Sequence, residues 1–356
     1  MSKQHNFGAG PCILPQEVFE EASKAVLNFN GLSILEVSHR SPDFVAVMEE
    51  AIDLVKKALN VPEGYAVMFL QGGASLGFLI SAMNMAGKYK KAAYIDTGVW
   101  STKAIKEAVN AGLEVDVVAS SKADGYKSVP AGKIEGDYDF VHYTSNNTIY
   151  GTQFKDKLDT DLPVVCDMSS DIFSKEINVS DFDIIYAGAQ KNLGPAGATL
   201  FIVKESILGQ STVKMPTYLN LQTHFDKDSM FNTPPVFSIY VSMLNLRHLM
   251  KNGGVSAIEK VNQAKADLLY NEIDINPLFL GNVQLDCRSN MNVTFVLTDE
   301  NLTEAFNEAW KKADIVGLKG HRSAGGFRAS MYNALPLSSV EHLVGVMKEF
   351  TANHIR

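Results

Sequence analysis

Residues 186–197 read YAGAQKNLGPAG, and apolar runs flank them over residues 182–186 and 198–203. The apolar runs predict two buried strands, and the small residues between them predict a tight connection that holds Lys191. Burial lowers the pKa of an amine and frees its lone pair, which is the condition for a nucleophile that forms a Schiff base. A lysine that reaches solvent from a strand end is an equally good interpretation of this stretch alone.

Length and composition are those of a globular protein with a large core. The chain has 356 residues, of which 46% are hydrophobic and 20% charged, and this predicts two domains or one large α/β domain with an appendage. The net charge of −8 argues against a nucleic-acid or anionic-membrane surface. No apolar run approaches the length of a membrane span, and the N-terminus lacks the apolar segment of a secretory signal.

The numbers and spacing of cysteine and histidine argue against a disulfide-bonded protein and against a metal-binding one. Cys12, Cys166 and Cys287 are odd in number and widely spaced, which predicts reduced thiols in a cytoplasmic protein. The eight histidines show no paired ligand spacing, so we expect no dedicated metal site.

Apolar runs that alternate with helical patterns predict the main sheet. We expect strands at residues 65–70, 92–96, 113–118, 139–143, 164–167, 183–186 and 199–203, with helices between several of them, notably at 75–85 and 101–111. This alternation indicates an α/β fold, with a mostly parallel seven-stranded sheet covered by helices on both faces. Ligands bind such sheets outside the carboxyl ends of the strands.

A change of pattern predicts the division of the chain into domains. Residues 1–15 contain several Gly and Pro residues and are predicted to form an irregular lead-in. Residues 16–258 are predicted to form a large cofactor-binding domain. Residues 259–356, with strand-like and helix-like segments of their own, are predicted to form a small C-terminal α+β domain.

Polar or aromatic residues follow several of the predicted strands. The turn at residues 71–75 opens a helix and predicts an anion site made by backbone N–H groups, although a purely structural turn explains it better in isolation. Trp100 follows the second strand and can stack on a flat ligand or, more simply, anchor the next helix in the core. Asp167 ends a further strand, where a carboxylate caps a helix or keeps a ligand nitrogen protonated. We expect Asp167 and Lys191 on the same side of the crevice.

Arginine is scarce, so the arginines in defined contexts are informative. His39 and Arg40 precede a well-signalled helix start, Ser41 followed by proline, although Arg40 is equally well explained as part of a surface loop. Residues 320–328 place Arg322 and Arg328 in a glycine-rich loop directly after a histidine. Two fixed guanidinium groups there predict a clamp for a carboxylate or a dianion.

Lys191, Asp167, the aromatic ring of Trp100 and a helix start suited to phosphate together describe a pyridoxal phosphate site. With these residues in place, the chain resembles the phosphoserine aminotransferase family, fold-type I enzymes of the class V aminotransferase group. The match spans nearly the whole length and includes, in order, residues 7–11 (FGAGP), 36–40 (EVSHR), 186–197, 230–235 (MFNTPP), 320–322 (GHR) and 328–334 (RASMYNA).

The resemblance implies a role for each matching residue toward pyridoxal 5'-phosphate. Lys191 is implied as the Schiff-base lysine and proton carrier, Asp167 as the partner of the pyridine nitrogen, and Trp100 as the stacking ring. The remaining implied cofactor contacts are Ala74, Ser75 and Gln190 to the phosphate, Thr148 to the ring hydroxyl, and Asn232 and Thr233 to the phosphate from the other subunit. A homodimer is therefore implied. Many relatives have Arg or Cys where this chain has Ser75.

The resemblance also implies the substrates. The residues that match the family's substrate-anion set are His39, Arg40, His321, Arg322 and Arg328. The implied reaction is a reversible ping-pong transfer of an amino group between glutamate and 3-phosphohydroxypyruvate in serine biosynthesis, and in bacterial relatives often also a step of pyridoxine biosynthesis. Each of these small molecules carries an α-carboxylate and a distal anion, which one set of Arg and His donors can bind.

Other functions remain open at this stage. Within the same fold, an alanine–glyoxylate aminotransferase or a cysteine desulfurase is the nearest alternative. The desulfurase needs a mobile catalytic cysteine, which none of the three cysteines obviously supplies. A nicotinamide oxidoreductase would share the parallel sheet, but its glycine fingerprint is missing. A binding protein without a cofactor would leave Lys191 with a structural role only.

Overall fold

The computed structural model describes residues 4–355, so that residues 1–3 of the predicted lead-in and Arg356 lie outside the described residues. The helices are α1 (Gln16–Leu27), α2 (Pro42–Ala58), α3 (Ala74–Met85), α4 (Val99–Asn110), α5 (Leu221–Phe225), α6 (Val236–Lys251), α7 (Gly254–Ile275), α8 (Thr303–Lys312) and α9 (Leu337–His354). The strands are β1 (His5–Asn6), β2 (Tyr65–Gly72), β3 (Lys91–Asp96), β4 (Glu114–Ser120), β5 (Phe140–Thr144), β6 (Val164–Asp167), β7 (Ile184–Gly188), β8 (Gly197–Lys204), β9 (Phe279–Gly281), β10 (Asn292–Leu297), β11 (Ile315–Val316) and β12 (Phe327–Ser330).

The large sheet has seven strands in the order β2-β8-β7-β6-β5-β3-β4. Strand β8 is antiparallel to both of its neighbours, and the other paired strands are parallel. The predicted mostly parallel seven-stranded α/β sheet is therefore confirmed. The carboxyl ends of β3, β5, β6 and β7 meet at one edge, where Lys191 follows β7 and Asp167 ends β6.

Buried side chains on the two faces of this sheet form separate apolar clusters. One cluster joins the sheet to α1, α2 and α6, and includes Val47, Ile185 and Ile239. The other joins the opposite face to α3 and α4, and includes Phe78 and Ala104. Covering both faces with helices is what allows the strands to be continuously apolar.

A third apolar cluster surrounds the antiparallel sheet β12-β10-β9 and is covered by α7, α8 and α9. Phe7 of the lead-in belongs to this cluster, because β1 pairs in parallel with β11. The predicted boundary between residues 258 and 259 falls inside α7, a continuous helix, and the predicted limits of the domains stay a prediction. Within residues 4–355, no helix combines the length and the apolar character needed to cross a membrane.

The start of α2 follows the predicted capping pattern. Ser41 is extended, and its Oγ accepts a hydrogen bond from Phe44 N at 3.4 Å, with Pro42 at the first helical position. Proline suits that position because its missing N–H would have no partner within the helix. This cap fixes the position of the backbone at Arg40, the residue directly before the cap.

Gly151 marks a close approach between the two sheets. It follows the loop that carries Thr148, and its φ is +82°. A Cβ atom at this position would lie 2.6 Å from Thr294 Oγ1 and 2.9 Å from the backbone oxygen of Asn292, both on β10. Thr294 Oγ1 donates a hydrogen bond to Tyr150 O at 2.9 Å. A side chain at residue 151 would therefore push the small sheet away from the large one.

We expect Gly151→Ala to lower the free energy of unfolding by about 2 kcal/mol, from left-handed backbone strain plus a clash with the backbone of β10. Gly112→Ala is the matched control, since Gly112 has φ of +87° but nothing within 4 Å of a Cβ. Its cost should be about 1 kcal/mol, from backbone conformation alone. Urea denaturation of both variants measures the difference, and equal losses would contradict the close approach.

Candidate active site

Lys191 lies in the connection between β7 and β8, at the carboxyl edge of the large sheet. Its side chain is 9% exposed, and its Nζ donates a hydrogen bond to Thr148 Oγ1 at 2.7 Å. Burial lowers the pKa of Lys191 to about 8, against the opposing charge of Asp167. About a tenth of this amine is therefore neutral and nucleophilic at pH 7, far more than of a lysine with the ordinary pKa.

The backbone around Lys191 is held from several sides. From the lead-in, Cys12 Sγ donates to Lys191 O at 2.7 Å and Cys12 N donates to Gln190 O at 3.1 Å. From α6, Asn245 Nδ2 donates to Asn192 O at 2.8 Å. From the segment after β12, Asn333 N donates to Asn192 Oδ1 at 2.9 Å. The connection that carries the lysine is thus held by the lead-in, by α6 and by the segment after β12.

Asp167 is a buried carboxylate beside the lysine connection. It is 4% exposed, and its Oδ1 accepts hydrogen bonds from Ser169 N at 2.9 Å and Ser169 Oγ at 2.6 Å. Burial raises its pKa, while Ser169 and the charge of Lys191 act in the opposite direction. Across residues 4–355, no hydrogen bond uses Asp167 Oδ2, so this oxygen is available to a ligand nitrogen.

The start of α3 provides unoccupied backbone donors. Gly73 is the N-cap and makes no side-chain cap, and the first helical N–H groups bonded to its oxygen are those of Leu76 and Gly77. The N–H groups of Ala74 and Ser75 have no acceptor within the described chain. A Cβ on Gly188 would lie 3.4 Å from Ala74 N and 2.7 Å from Gln190 Oε1. The side chain of Gln190 therefore lies beside this helix start, which is suited to a phosphate.

Trp100 lies in the first turn of α4, which begins after Gly98 at the end of β3. Its indole Nε1 is buried and has no hydrogen-bond partner among residues 4–355. A buried indole N–H normally has a partner, and the described residues leave this one without an acceptor. Thr148 is also buried, in the loop after β5.

Arginine pairing separates structural from candidate binding arginines. Arg247 is paired with Glu50, and Arg288 forms two hydrogen bonds of 2.6 Å with Asp274. Arg40, Arg322 and Arg328 belong to no ion pair in the part of the chain that the structure describes. Unpaired guanidinium groups at a cleft are available for an anionic ligand.

Arg328 lies on β12 and faces the Thr148 loop. Its Nη1 donates to Thr148 O at 3.3 Å, and its Nε is buried without a partner within residues 4–355. His321 and Arg322 lie in the preceding turn, where His321 Nδ1 contacts Ser323 Oγ at 2.7 Å. Burial and the charges of Arg328 and Arg322 lower the pKa of His321. Arg328 thus contacts the lysine site through Thr148. The charge of Arg328 also acts on the imidazole of His321.

Four predicted site residues are not joined to this group in the single chain. His39 is buried with a free Nε2 and Arg40 is exposed, in the turn before α2. Asn232 and Thr233 precede α6, and neither side chain forms a hydrogen bond with another described residue. The backbone oxygen of Thr233 accepts from Gln71, at the end of β2. The side chains of Asn232 and Thr233 therefore have no hydrogen-bond partner among residues 4–355 of one copy of the chain.

The sequence motifs did not assign Ser169, Cys12 or Tyr332, which support the site. Ser169 holds Asp167, Cys12 holds Lys191 O, and Tyr332 Oη donates to Ala9 O at 3.0 Å. Their signal was position alone: each lies within two residues of Asp167, or inside or next to a quoted motif. Within residues 4–355, no three His, Cys, Asp or Glu side chains are grouped so that they could hold a metal ion.

A flat ligand with a carbonyl group, a basic ring nitrogen and a phosphate fits this arrangement. Lys191 supplies the amine, and Asp167 Oδ2 supplies an unused carboxylate oxygen. The free N–H groups at Ala74 and Ser75 supply the phosphate donors. Pyridoxal 5'-phosphate carries these three groups.

Comparison with known proteins agrees with this fit. The family model for class V aminotransferases matches residues 4–343. Phosphoserine aminotransferase from Flavobacterium psychrophilum is 58% identical over 351 residues, 98% of this chain and 98% of that protein. The solved phosphoserine aminotransferase from Bacillus circulans subsp. alkalophilus is 42% identical with a TM-score of 0.95, and covers 99% of both chains. The pyridoxal-phosphate-bound enzyme from Trichomonas vaginalis is 33% identical with a TM-score of 0.92, over 97% of this chain and 100% of that one.

The fold and the site define a pyridoxal-phosphate-dependent enzyme of fold type I. The sequence resemblance to phosphoserine aminotransferases and the predicted cofactor are confirmed. The chain belongs to the class V aminotransferase family, and it is a pyridoxal-phosphate-dependent aminotransferase. The nicotinamide oxidoreductase and the cofactor-free binding protein are thereby excluded.

We expect the amine of Lys191 in the cofactor-free protein to react with added pyridoxal phosphate faster as pH rises through about 8, its pKa, because only the neutral amine attacks a carbonyl. Borohydride reduction followed by peptide mapping identifies the labelled lysine. Lys265 is the internal control. Burial lowers its pKa to about 7, but it is 0% exposed and donates to the oxygens of Met331, Tyr332 and Leu335. Labelling of Lys265 before Lys191 would contradict the assignment.

Proposed function

We propose that this aminotransferase transfers the amino group between glutamate and 3-phosphohydroxypyruvate, giving 3-phosphoserine and 2-oxoglutarate, in serine biosynthesis. The unpaired cation Arg328 beside the lysine site, together with the unpaired Arg322 in the turn before it, carries the proposal. Relatives more than 50% identical over nearly the whole chain are named phosphoserine aminotransferases, which supports it.

Substrate binding in this proposal uses the unpaired cations. Arg328 is partly buried, and a carboxylate would satisfy its unpartnered Nε. We assign it to the α-carboxylate that all the substrates share. His321 and Arg322 are more exposed, in the glycine-rich turn, and we assign them, with His39 and Arg40, to the distal phosphate or carboxylate.

Pyridoxal phosphate, when bound, draws electron density away from the α carbon of the amino acid. Lys191, with its pKa near 8, takes the proton from that carbon and returns one to the cofactor side. Asp167 Oδ2 keeps the ring nitrogen protonated. Trp100 would stack on the ring, Thr148 would contact the ring hydroxyl, and Gln190 would join the N–H groups of the α3 start in holding the phosphate.

Two related activities are less well supported by the structure. A cysteine desulfurase needs an accessible cysteine thiol, but burial raises the pKa of Cys12 to about 12 and the other two cysteines are buried. An alanine–glyoxylate aminotransferase acts on substrates without a distal phosphate, which would leave His321 and Arg322 without an evident role. A phosphorylated hydroxythreonine would fit the same cations, so the pyridoxine step belongs to the same proposal.

Purified holoenzyme should convert phosphoserine and 2-oxoglutarate to glutamate much faster than it converts alanine or cysteine, because only phosphoserine engages both anion sites. Lys191→Ala should lower kcat by about 10²–10⁴-fold, the contribution of a general acid–base group, and should retain the fold by circular dichroism. A coupled glutamate assay measures each rate. Faster turnover of alanine or cysteine than of phosphoserine would refute the proposed substrate.

We also propose that the enzyme is a homodimer whose active sites lie at the subunit interface. Asn232 and Thr233 have unpartnered polar side chains, and Phe231 beside them is 37% exposed. A second copy placed there would cover the apolar ring and bring both polar groups to the partner's phosphate site. The three cysteines are all free thiols, and free thiols support a cytoplasmic location as part of this proposal.

Subunit mixing tests this arrangement. Neither the Asn232→Ala, Thr233→Ala double variant nor Lys191→Ala should be fully active alone. Mixed dimers contain one site with an intact Lys191 and the partner's intact Asn232 and Thr233. An equal mixture that is dissociated and reassociated should therefore recover about a quarter of wild-type activity, because half of the dimers are mixed. No recovery in a mixture that sedimentation shows to be mixed dimers would contradict sharing between subunits.

A further inference from the structure

Lys103 lies one turn after Trp100 on the same face of α4. Its Nζ is 4.5 Å from the centroid of the Trp100 ring, within the range of a cation–π contact. The side chain is exposed rather than packed into the core. The ammonium group of Lys103 is therefore held beside the aromatic ring that borders the cofactor site.

The charge of Lys103 is not neutralised by a carboxylate. Lys91, on the neighbouring strand β3, forms ion pairs with Glu114 at 2.8 Å and Asp116 at 2.9 Å. Lys103, in contrast, takes part in no ion pair within residues 4–355. It resembles Arg322 and Arg328 in this respect. A cation that has an aromatic ring but no anion beside it is free to bind an anionic ligand.

Lys103 shares the electrostatic field of the glycine-rich loop. The pKa of His321 is lowered by burial and by three cations, namely Arg328, Arg322 and Lys103. Lys103 is thus close enough to the loop to act on the same imidazole, although it belongs to a helix more than 200 residues earlier in the chain. The N-terminus of α4 faces the same edge of the sheet and adds a positive dipole end.

We propose that Lys103 is a substrate-binding residue that contacts the distal anion of the substrate, opposite His321 and Arg322. This inference rests on the proposed function, because it concerns how that reaction's two amino donors are bound. The phosphate of phosphoserine carries about −1.5 to −2 charges near neutral pH, whereas the distal carboxylate of glutamate carries one. A lysine on a flexible stem can reach either group, since its ammonium has no fixed planar geometry.

The experiment compares Lys103→Met with Lys106→Met in the holoenzyme. Lys106 is an exposed lysine one turn further along α4, and its loss removes the same charge from the same helix. Lys103→Met should raise the KM for phosphoserine about tenfold, as expected for loss of one charge-assisted contact. The KM for glutamate should rise less and that for alanine, which has no distal anion, should not change. Lys103→Arg should restore most of the loss, and Lys106→Met should behave as the wild type.

Calorimetric titration of the holoenzyme with inorganic phosphate gives a readout that does not depend on turnover. If the wild-type enzyme does not convert phosphoserine, the proposed function is refuted. If Lys103→Met nevertheless binds phosphate more weakly than the wild type, the anion site is still supported. Unchanged phosphoserine KM and phosphate affinity in an active enzyme would overturn the role of Lys103 and leave the function intact. An equal rise of KM for alanine would show that Lys103 acts by packing on Trp100, and would also overturn it.

Discussion

Everything at the site depends on keeping one lysine buried with a partly neutral amine. Lys191 can have a pKa near 8 only because its side chain is removed from water. The backbone on either side of it therefore has to be satisfied by the protein. Cys12 of the lead-in and Asn245 of α6 donate hydrogen bonds to this backbone, and Asn333 after β12 donates to the side chain of Asn192. Three distant parts of the chain are thus tied to the activation of a single nitrogen atom.

Local pattern was enough to predict most of the large sheet. Apolar runs placed β2 to β8, Ser41 and Pro42 placed the start of α2, and the glycine turn at residues 71–75 placed the start of α3. These features succeed because each is determined by a few adjacent residues. Lys191 and Asp167 could be singled out from the sequence for the same reason. Each follows or ends an apolar strand, and the order of parallel strands brings those strand ends together.

The remaining features depend on contacts between distant residues, which no local pattern encodes. Asn192 and Asn333 are 141 residues apart, and a short-range reading of either gives no hint of the other. The contact between Gly151 and β10 likewise appears only when the two sheets are packed. The predicted boundary between residues 258 and 259 falls within α7 (Gly254–Ile275), so the limits of the domains stay a prediction. Contacts between subunits are harder still to predict, because they join residues of two different copies of the chain.

The reversal of direction at β8 has a consequence for a two-substrate enzyme. Lys191 lies in a hairpin whose arms are joined by five residue pairs, and β8 is joined on its other side to β2 by eight more. Such a doubly anchored hairpin has little freedom to follow substrates of different length. The turn at residues 320–326, in contrast, contains three glycines and carries the exposed cation Arg322. In the proposed reaction the work is divided: the sheet keeps Lys191 in one place, and the glycine turn would supply the tolerance needed to bind either a distal phosphate or a distal carboxylate.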